Sequence, residues 1–284
     1  MTQTAVLNPA TATRRRARRG LARRVAICLV TLAWFAPVVW IVATAFKPRL
    51  DVYSLALWFR PTLDSIVAAF GSPYLLGQRL FNSVFVTAGT LLMAIPVATM
   101  AAYAFSRFRF PGGQLGPLLL LATQFLPPVI IVIPLFVVFR NLDLLDTPWA
   151  LMVANLSFVV PYATWMIKAF FDALPPDMEE AAQIDGASRL RALWEVVVPV
   201  ALPGIATAAI FSFVVSWNEF FYALVLTREQ AVTLPVALMS ARTEQGDAWE
   251  IMASMGLFII APMLLISRFV QRYFVKGLVA GAIR

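Results

Sequence analysis

The chain of 284 residues is 61% hydrophobic and only 13% charged, with a mean hydropathy of +0.79; it has too few polar side chains to coat a globule, so its main solvent is lipid. Its net charge of +8 is not the footprint of nucleic acid, because seven of the 23 basic residues crowd between Arg14 and Arg24, ahead of the first apolar run, where an anionic membrane surface is their partner. Histidine is absent and the single cysteine, Cys28, lies in an apolar run, which excludes a zinc site, a histidine base, a Cys/His dyad and an intrachain disulfide. A "GxxxxGK(S/T)" phosphate loop is also missing, so any ATP that drives the protein is hydrolysed by another chain.

Residues 1–24 form a basic tail, poor in large apolar side chains and expected to be disordered. Six stretches then reach the roughly 20 apolar residues that a hydrocarbon core requires: 25–46, 80–105, 116–139, 149–171, 201–226 and 250–270. They predict a six-helix membrane domain over 25–270, followed by a short tail at 271–284. The first apolar run exceeds the roughly 7 to 15 residues of a signal peptide's core, so it is expected to stay as an uncleaved anchor despite the "ATA" at 43–45. The loop 47–79 carries "FRPTLDSIVAAFG", where Thr62 or Asp64 can cap a short helix along the outer surface. With the tail inside, the inner segments hold 16 basic residues against 7 in the outer loops, which predicts that both termini are cytoplasmic.

The spans hold few ionisable groups. Lys168, Glu250 and Arg268 lie near span ends, where snorkelling accounts for them, and Glu219 alone lies well inside, about 24 Å beyond Pro203 at 1.5 Å per residue. A proton-coupled carrier working through Glu219 is therefore one alternative, whereas a membrane enzyme lacks the paired carboxylates it would need. Asn82, Gln124, Asn155 and Tyr162, with prolines at 96, 127, 128 and 134, mark either a pathway or ordinary kinks and interhelical bonds. Trp217, Asn218, Glu219 and Tyr222 combine aromatic faces with donors and acceptors, the chemistry a sugar needs, although an aromatic belt at the outer interface gives the same pattern.

Between the fourth and fifth spans, the loop 172–200 contains "PPDMEEAAQIDGAS". Pro175 and Pro176 suit a helix start, Asp177, Glu179 and Glu180 fall where the positive end of the helix dipole favours them, and Gly186 suits a left-handed stop, which predicts about three turns of helix. Ala181 and Ala182 leave one face without bulk, open to close approach by another surface, and the carboxylates can pair with a partner's basic groups. Ser188 can cap a second helix whose stripe is Leu190, Leu193, Trp194 and Val197, lying at the membrane interface until Pro199 and Pro203 turn the chain into span five.

The run "EAAQIDGA" followed by "VVVP", that is Glu180, Ala181, Ala182, Gly186 and Pro199, resembles the EAA loop of ABC importer permeases. The resemblance extends over nearly the whole chain, through "AAYAFSRFRFPG" at 101–112, "SWNEFFYALVLT" at 216–227 and the ending "QRYFVKGLVAGAIR", and is similar to the second, smaller membrane subunit of the carbohydrate-uptake branch. It implies an all-α integral membrane protein of the type I importer fold, in which the loop's helix is a coupling helix seated on an ATPase. Glu179, Glu180, Ala181, Ala182, Asp185, Gly186 and Pro199 would then form the coupling site. Trp217, Asn218, Glu219, Tyr222, Asn155 and Asn82 would be pathway candidates for a sugar, oligosaccharide or polyol. The same resemblance implies a second permease, an ATPase dimer that uses ATP and magnesium, an extracytoplasmic solute-binding protein, no cofactor on this chain, and a bacterial or archaeal inner membrane.

Overall fold

The computed structural model describes residues 9–54, 56, 58–109, 115–243 and 246–281. In chain order, α1 spans Pro9–Ala45, α2 Asp64–Phe70, α3 Leu76–Arg107, α4 Leu115–Ala122, α5 Pro128–Asn141, α6 Pro148–Asp172, α7 Asp177–Ile184, α8 Arg189–Ala192, α9 Val198–Trp217, α10 Phe221–Leu226, α11 Leu234–Ala237 and α12 Trp249–Gly281. A two-residue antiparallel pair, β1 (Arg242–Thr243) and β2 (Gly246–Asp247), precedes α12 with Arg242 opposite Asp247. Among the described residues, five helical segments are long and apolar enough to cross a membrane, or six when a bent pair counts as one span.

The centre is built from α3, α6 and α9. The buried face of α3 runs through Asn82, Ser83, Val86, Thr87, Thr90, Ala94, Ala98 and Ala102, small residues spaced three or four apart. Lipid offers no hydrophobic drive for helices to associate, so close approach through small side chains supplies the packing contacts instead. Gly89 makes one such approach: a Cβ there would lie 2.5 Å from the Met152 sulfur of α6. Gly204 of α9 makes another, since its Cβ would enter the Phe170 ring of α6. Outside this centre, α1 leans on α12 and leaves Trp34 and Phe35 exposed to lipid.

Four details differ from the sequence reading. The basic segment at 9–24, expected to be disordered, continues α1, while residues 1–8 of that tail lie outside the described residues. At the other terminus α12 runs on through the expected tail to Gly281. The third span is broken: Leu115–Phe125 and Pro128–Asn141 meet at 90°. The cause is the pair Pro127 and Pro128, which forces Leu126 into extended backbone (ψ 125°) and removes two consecutive N–H donors.

The fifth span is displaced as well. Pro199 and Pro203 do not turn the chain. Arg189–Trp217 forms one continuous membrane-length run, with a π turn at Leu193–Val197 ahead of α9. Pro199 occupies the second position of α9, where its fixed φ is tolerated. The span then stops at Trp217 instead of reaching 226. The outer-loop helix α2 forms where expected, with Thr62 Oγ1 accepting from the Asp64 N–H at 3.1 Å. It buries Ala69 and sets Phe70 edge-on against Phe258 of α12, ring centroids 5.6 Å apart.

Candidate functional site

The acidic segment folds as a two-turn helix, one turn shorter than expected. Asp177, Glu179 and Glu180 occupy the first turn of α7, and the helix ends in a Schellman arrangement in which Ala187 N–H donates to Ala182 O (2.9 Å) and Gly186 N–H to Gln183 O (3.1 Å). Gly186 has φ +90°, and apart from its immediate neighbours no atom of the described residues lies within 4 Å of the position its Cβ would take. Glu180, Ala181, Asp185 and Gly186 are exposed and Ala182 is half-buried. Beside them Met178, Ile184, Leu190 and Trp194 also face outward, with Ile184 85% exposed. Only Leu193 and Val197 of the stripe predicted for the second helix are buried. Ser188 does cap α8, accepting from the Arg191 N–H at 3.3 Å. The exposed apolar face at Ile184 is not legible in the sequence, because one isoleucine among acids gives no periodic signal.

Glu179 points the other way. It is 5% exposed, and its carboxylate accepts from Arg107 Nε at 2.5 Å and from the Tyr103 hydroxyl at 3.0 Å, both on α3. Arg107 also donates to Leu174 O (3.2 Å) and to Ser106 Oγ (3.0 Å), and Ser106 donates to Asp172, which is paired with Lys168. The ends of α3 and α6 are thereby tied to α7. Nothing in the sequence marks Arg107 and Tyr103, because their partner lies more than 70 residues away.

The pathway candidates are largely engaged within the chain. Trp217 is buried, donates its indole N–H to Ile259 O at 3.1 Å and stacks on Phe213. Glu219 lies beyond the end of α9, not within it, and accepts from the N–H groups of Tyr222 (2.6 Å) and Ala223 (3.0 Å), closing the start of α10. Tyr222 is buried with its hydroxyl 3.4 Å from Ser157 Oγ, whereas Asn218 is exposed and donates back to Val214 O at 2.7 Å. Asn82 donates to Gln230 O (2.7 Å) and Val232 O (3.0 Å). Asn155 donates to Ser216 Oγ at 3.2 Å, while its Oδ1, like Thr233 Oγ1, is buried without a partner among the described residues. Asn155 and Thr233 face a cavity of about 10 Å³ that Ser83, Thr87, Ser216 and Glu219 also line, room for about one water.

Asp146, between α5 and α6, organises the opposite end of the bundle. It sits at φ +57°, a conformation that Asp tolerates better than most residues. Its two carboxylate oxygens accept from the N–H groups of Arg228, Glu229, Gln230 and Ala231, each at 3.0 Å. Burial pushes this carboxyl up, but the four N–H bonds outweigh it and hold the group below the ordinary carboxylate range.

Residues 94–279 match the family described as the binding-protein-dependent transport system inner membrane component. The chain is 33% identical over 266 residues to the sulfoquinovosyl glycerol transport system permease protein of Agrobacterium fabrum, covering 92% of this chain and 93% of that one. It is 35% identical over 254 residues to the trehalose transport system permease protein of Mycobacterium tuberculosis, covering 87% and 92%. Its fold is similar to that seen in the crystal structure of a bacterial ABC transporter involved in import of the acidic polysaccharide alginate, with a TM-score of 0.72, 22% identity and coverage of 92% of this chain and 98% of that one. With a membrane-length helical bundle and a projecting EAA helix already in place, these matches settle the family: the chain belongs to the binding-protein-dependent transport system inner membrane components, the permeases of ABC importers.

Proposed function

We propose that this chain is one of two permease subunits of an ATP-driven importer for a sugar, oligosaccharide or polyol, and that α7 is the helix through which a separate ATPase dimer, using ATP and magnesium, drives it. The observation that carries this reading is the outer face of α7. Ala181, Ala182 and Gly186 leave it without bulk, Ile184 projects from it, and Glu180 and Asp185 flank it as unburied acids. A small apolar face rimmed by charge suits a groove with basic edges. The sugar assignment rests on relatives whose names specify sulfoquinovosyl glycerol and trehalose transport.

In this reading α7 and both termini face the cytoplasm, a second permease completes the pathway, and a solute-binding protein delivers substrate from outside, in keeping with the family's description. Asn218, exposed beyond α9, and Glu219 beside the interior cavity are the pathway positions most open to a ligand or to the second subunit. Neither the relatives nor the geometry supports a proton-coupled carrier: the Glu219 carboxylate is occupied by two backbone N–H groups. The test is reconstitution with the ATPase, second permease and binding protein, measuring hydrolysis against a panel of sugars and polyols. Stimulation by a member of the panel is expected, and it should vanish when this chain is omitted. Uptake into liposomes that contain this chain alone would overturn the proposal.

A further inference from the structure

Glu179 is the one buried side chain of α7, since every other residue of that helix is exposed or half-buried. A two-turn helix anchored by apolar packing would present several buried side chains to the bundle. Here the attachment is instead a carboxylate held by two donors of α3, with side-chain exposures of 15% for Arg107 and 6% for Glu179. The pair is shielded from water, so it is strong and directional in a way that a surface ion pair is not.

Arg107 is also the last residue of α3, the 32-residue helix whose far half carries Asn82, bound to the 230–232 backbone, and lines the interior cavity through Ser83 and Thr87. At 1.5 Å per residue, α3 runs about 30–38 Å from the α7 attachment at Arg107 to Thr87, Ser83 and Asn82. Tyr103, one turn in from Arg107, is wedged edge-on against Phe171 of α6, ring centroids 6.4 Å apart, so the attachment point cannot swivel freely.

We propose that Arg107 and Tyr103 are positioning residues that clamp α7 to α3 through Glu179, so that a displacement of α7 is delivered along α3 to the interior cavity. This rests on the reading of α7 as the ATPase-docking helix. It assigns separate tasks to the two faces of α7: the outer face holds the ATPase, and the Glu179 face transmits the movement.

The test uses the assembled importer with its ATPase, second permease and binding protein, in a Cys28→Ser background carrying Thr87→Cys as a reporter. The rate at which a small maleimide labels position 87 is compared with and without ATP and vanadate, and ATPase retention is measured in parallel by pull-down. With Arg107 present, nucleotide should change the labelling rate by about tenfold or more. In Arg107→Gln, and separately in Glu179→Gln, the change should shrink below twofold, with Tyr103→Phe in between. Arg107→Gln should retain the ATPase within twofold. Combining Arg107→Gln with Glu179→Gln should be no worse than either alone, because one clamp is lost once; two independent structural defects would add. A nucleotide response that survives Arg107→Gln overturns the inference. So does loss of the ATPase from the Arg107 variant, which would make the pair a docking brace. Failure of the parent complex to bind the ATPase at all would instead overturn the docking role of α7, a distinguishable result.

Discussion

Arg107 Nε and Glu179 Oε1 lie 2.5 Å apart, joining the end of one membrane-spanning helix to the first turn of the short acidic helix that follows another. Both side chains are largely shielded from water. Breaking such a pair strands a buried charge, which costs about 3–5 kcal/mol, whereas replacing both members with apolar groups is far cheaper. Arg107→Met should therefore lower the apparent unfolding midpoint in detergent by several degrees, and Arg107→Met with Glu179→Met should recover much of it. A double variant that is additively worse would show that the pair contributes no specific coupling.

The outer face of α7 predicts a docking phenotype. Gly186 sits at φ +90°, where a residue with a Cβ costs roughly 1–2 kcal/mol. Because the described residues beyond its neighbours place nothing near that Cβ, a steric part of the effect points to a partner. Gly186→Asp and Ala182→Asp should insert normally and pair with the second permease, yet retain at least about tenfold less ATPase in a pull-down, the equivalent of about 1.4 kcal/mol. Full retention and full transport by both variants would reduce the segment to a solvated connection.

Gly204 predicts a packing phenotype in the membrane interior. A side chain there would occupy the Phe170 ring, so Gly204→Leu should overpack the contact between α6 and α9 and cost about 1–3 kcal/mol. Gly77→Ala is the matched control, because its new Cβ would meet Phe70 at an ordinary 3.5 Å. Thermal unfolding of the two variants side by side should show a lowered midpoint only for Gly204→Leu.

Asp146 predicts a pH dependence. Its folded carboxyl titrates below the ordinary range, so the stabilisation it confers is fully present above the unfolded value of about 3.9 and is lost as pH falls through the lower, folded value. At neutral pH, Asp146→Asn replaces one acceptor oxygen with a donor that faces backbone N–H groups. It should loosen residues 228–231 at a cost of about 1–3 kcal/mol. Limited proteolysis should then cut this loop faster in the variant than in the parent at pH 7, and the difference should narrow as the parent is acidified below pH 4.

Glu219→Gln separates the pathway from docking. Losing the charge weakens the start of α10 by about 1 kcal/mol, yet the site lies far along the chain from α7 and should leave ATPase retention unchanged. Apparent sugar affinity or subunit pairing should shift, and transport should show no dependence on a proton gradient before or after the change. Appearance of such a dependence in the parent importer would revive the carrier.

By itself the sequence determined the membrane class, the approximate position of most of the spans, the helix from Asp177 and its stop at Gly186, because each depends on local composition: apolar length, first-turn acids, and the one residue type at ease with positive φ. The EAA pattern was legible for the same reason, being contiguous. Tertiary structure decided the rest. Nothing local distinguishes Glu179 from Glu180, yet one is buried on Arg107 and the other exposed, a choice made by where α3 ends relative to α7. Asn82, Trp217 and Tyr222 read as a polar and aromatic pathway, but their donors are taken up by backbone and side chains brought close only by folding. Glu219 reads from the sequence as an acid well inside the fifth span because hydropathy does not register where a helix stops; the chain breaks after Trp217, and the carboxylate restarts it. Asp146 drew no notice at all, since the four N–H groups it collects lie more than 80 residues onward and are aligned only when α10 packs against α5 and α6.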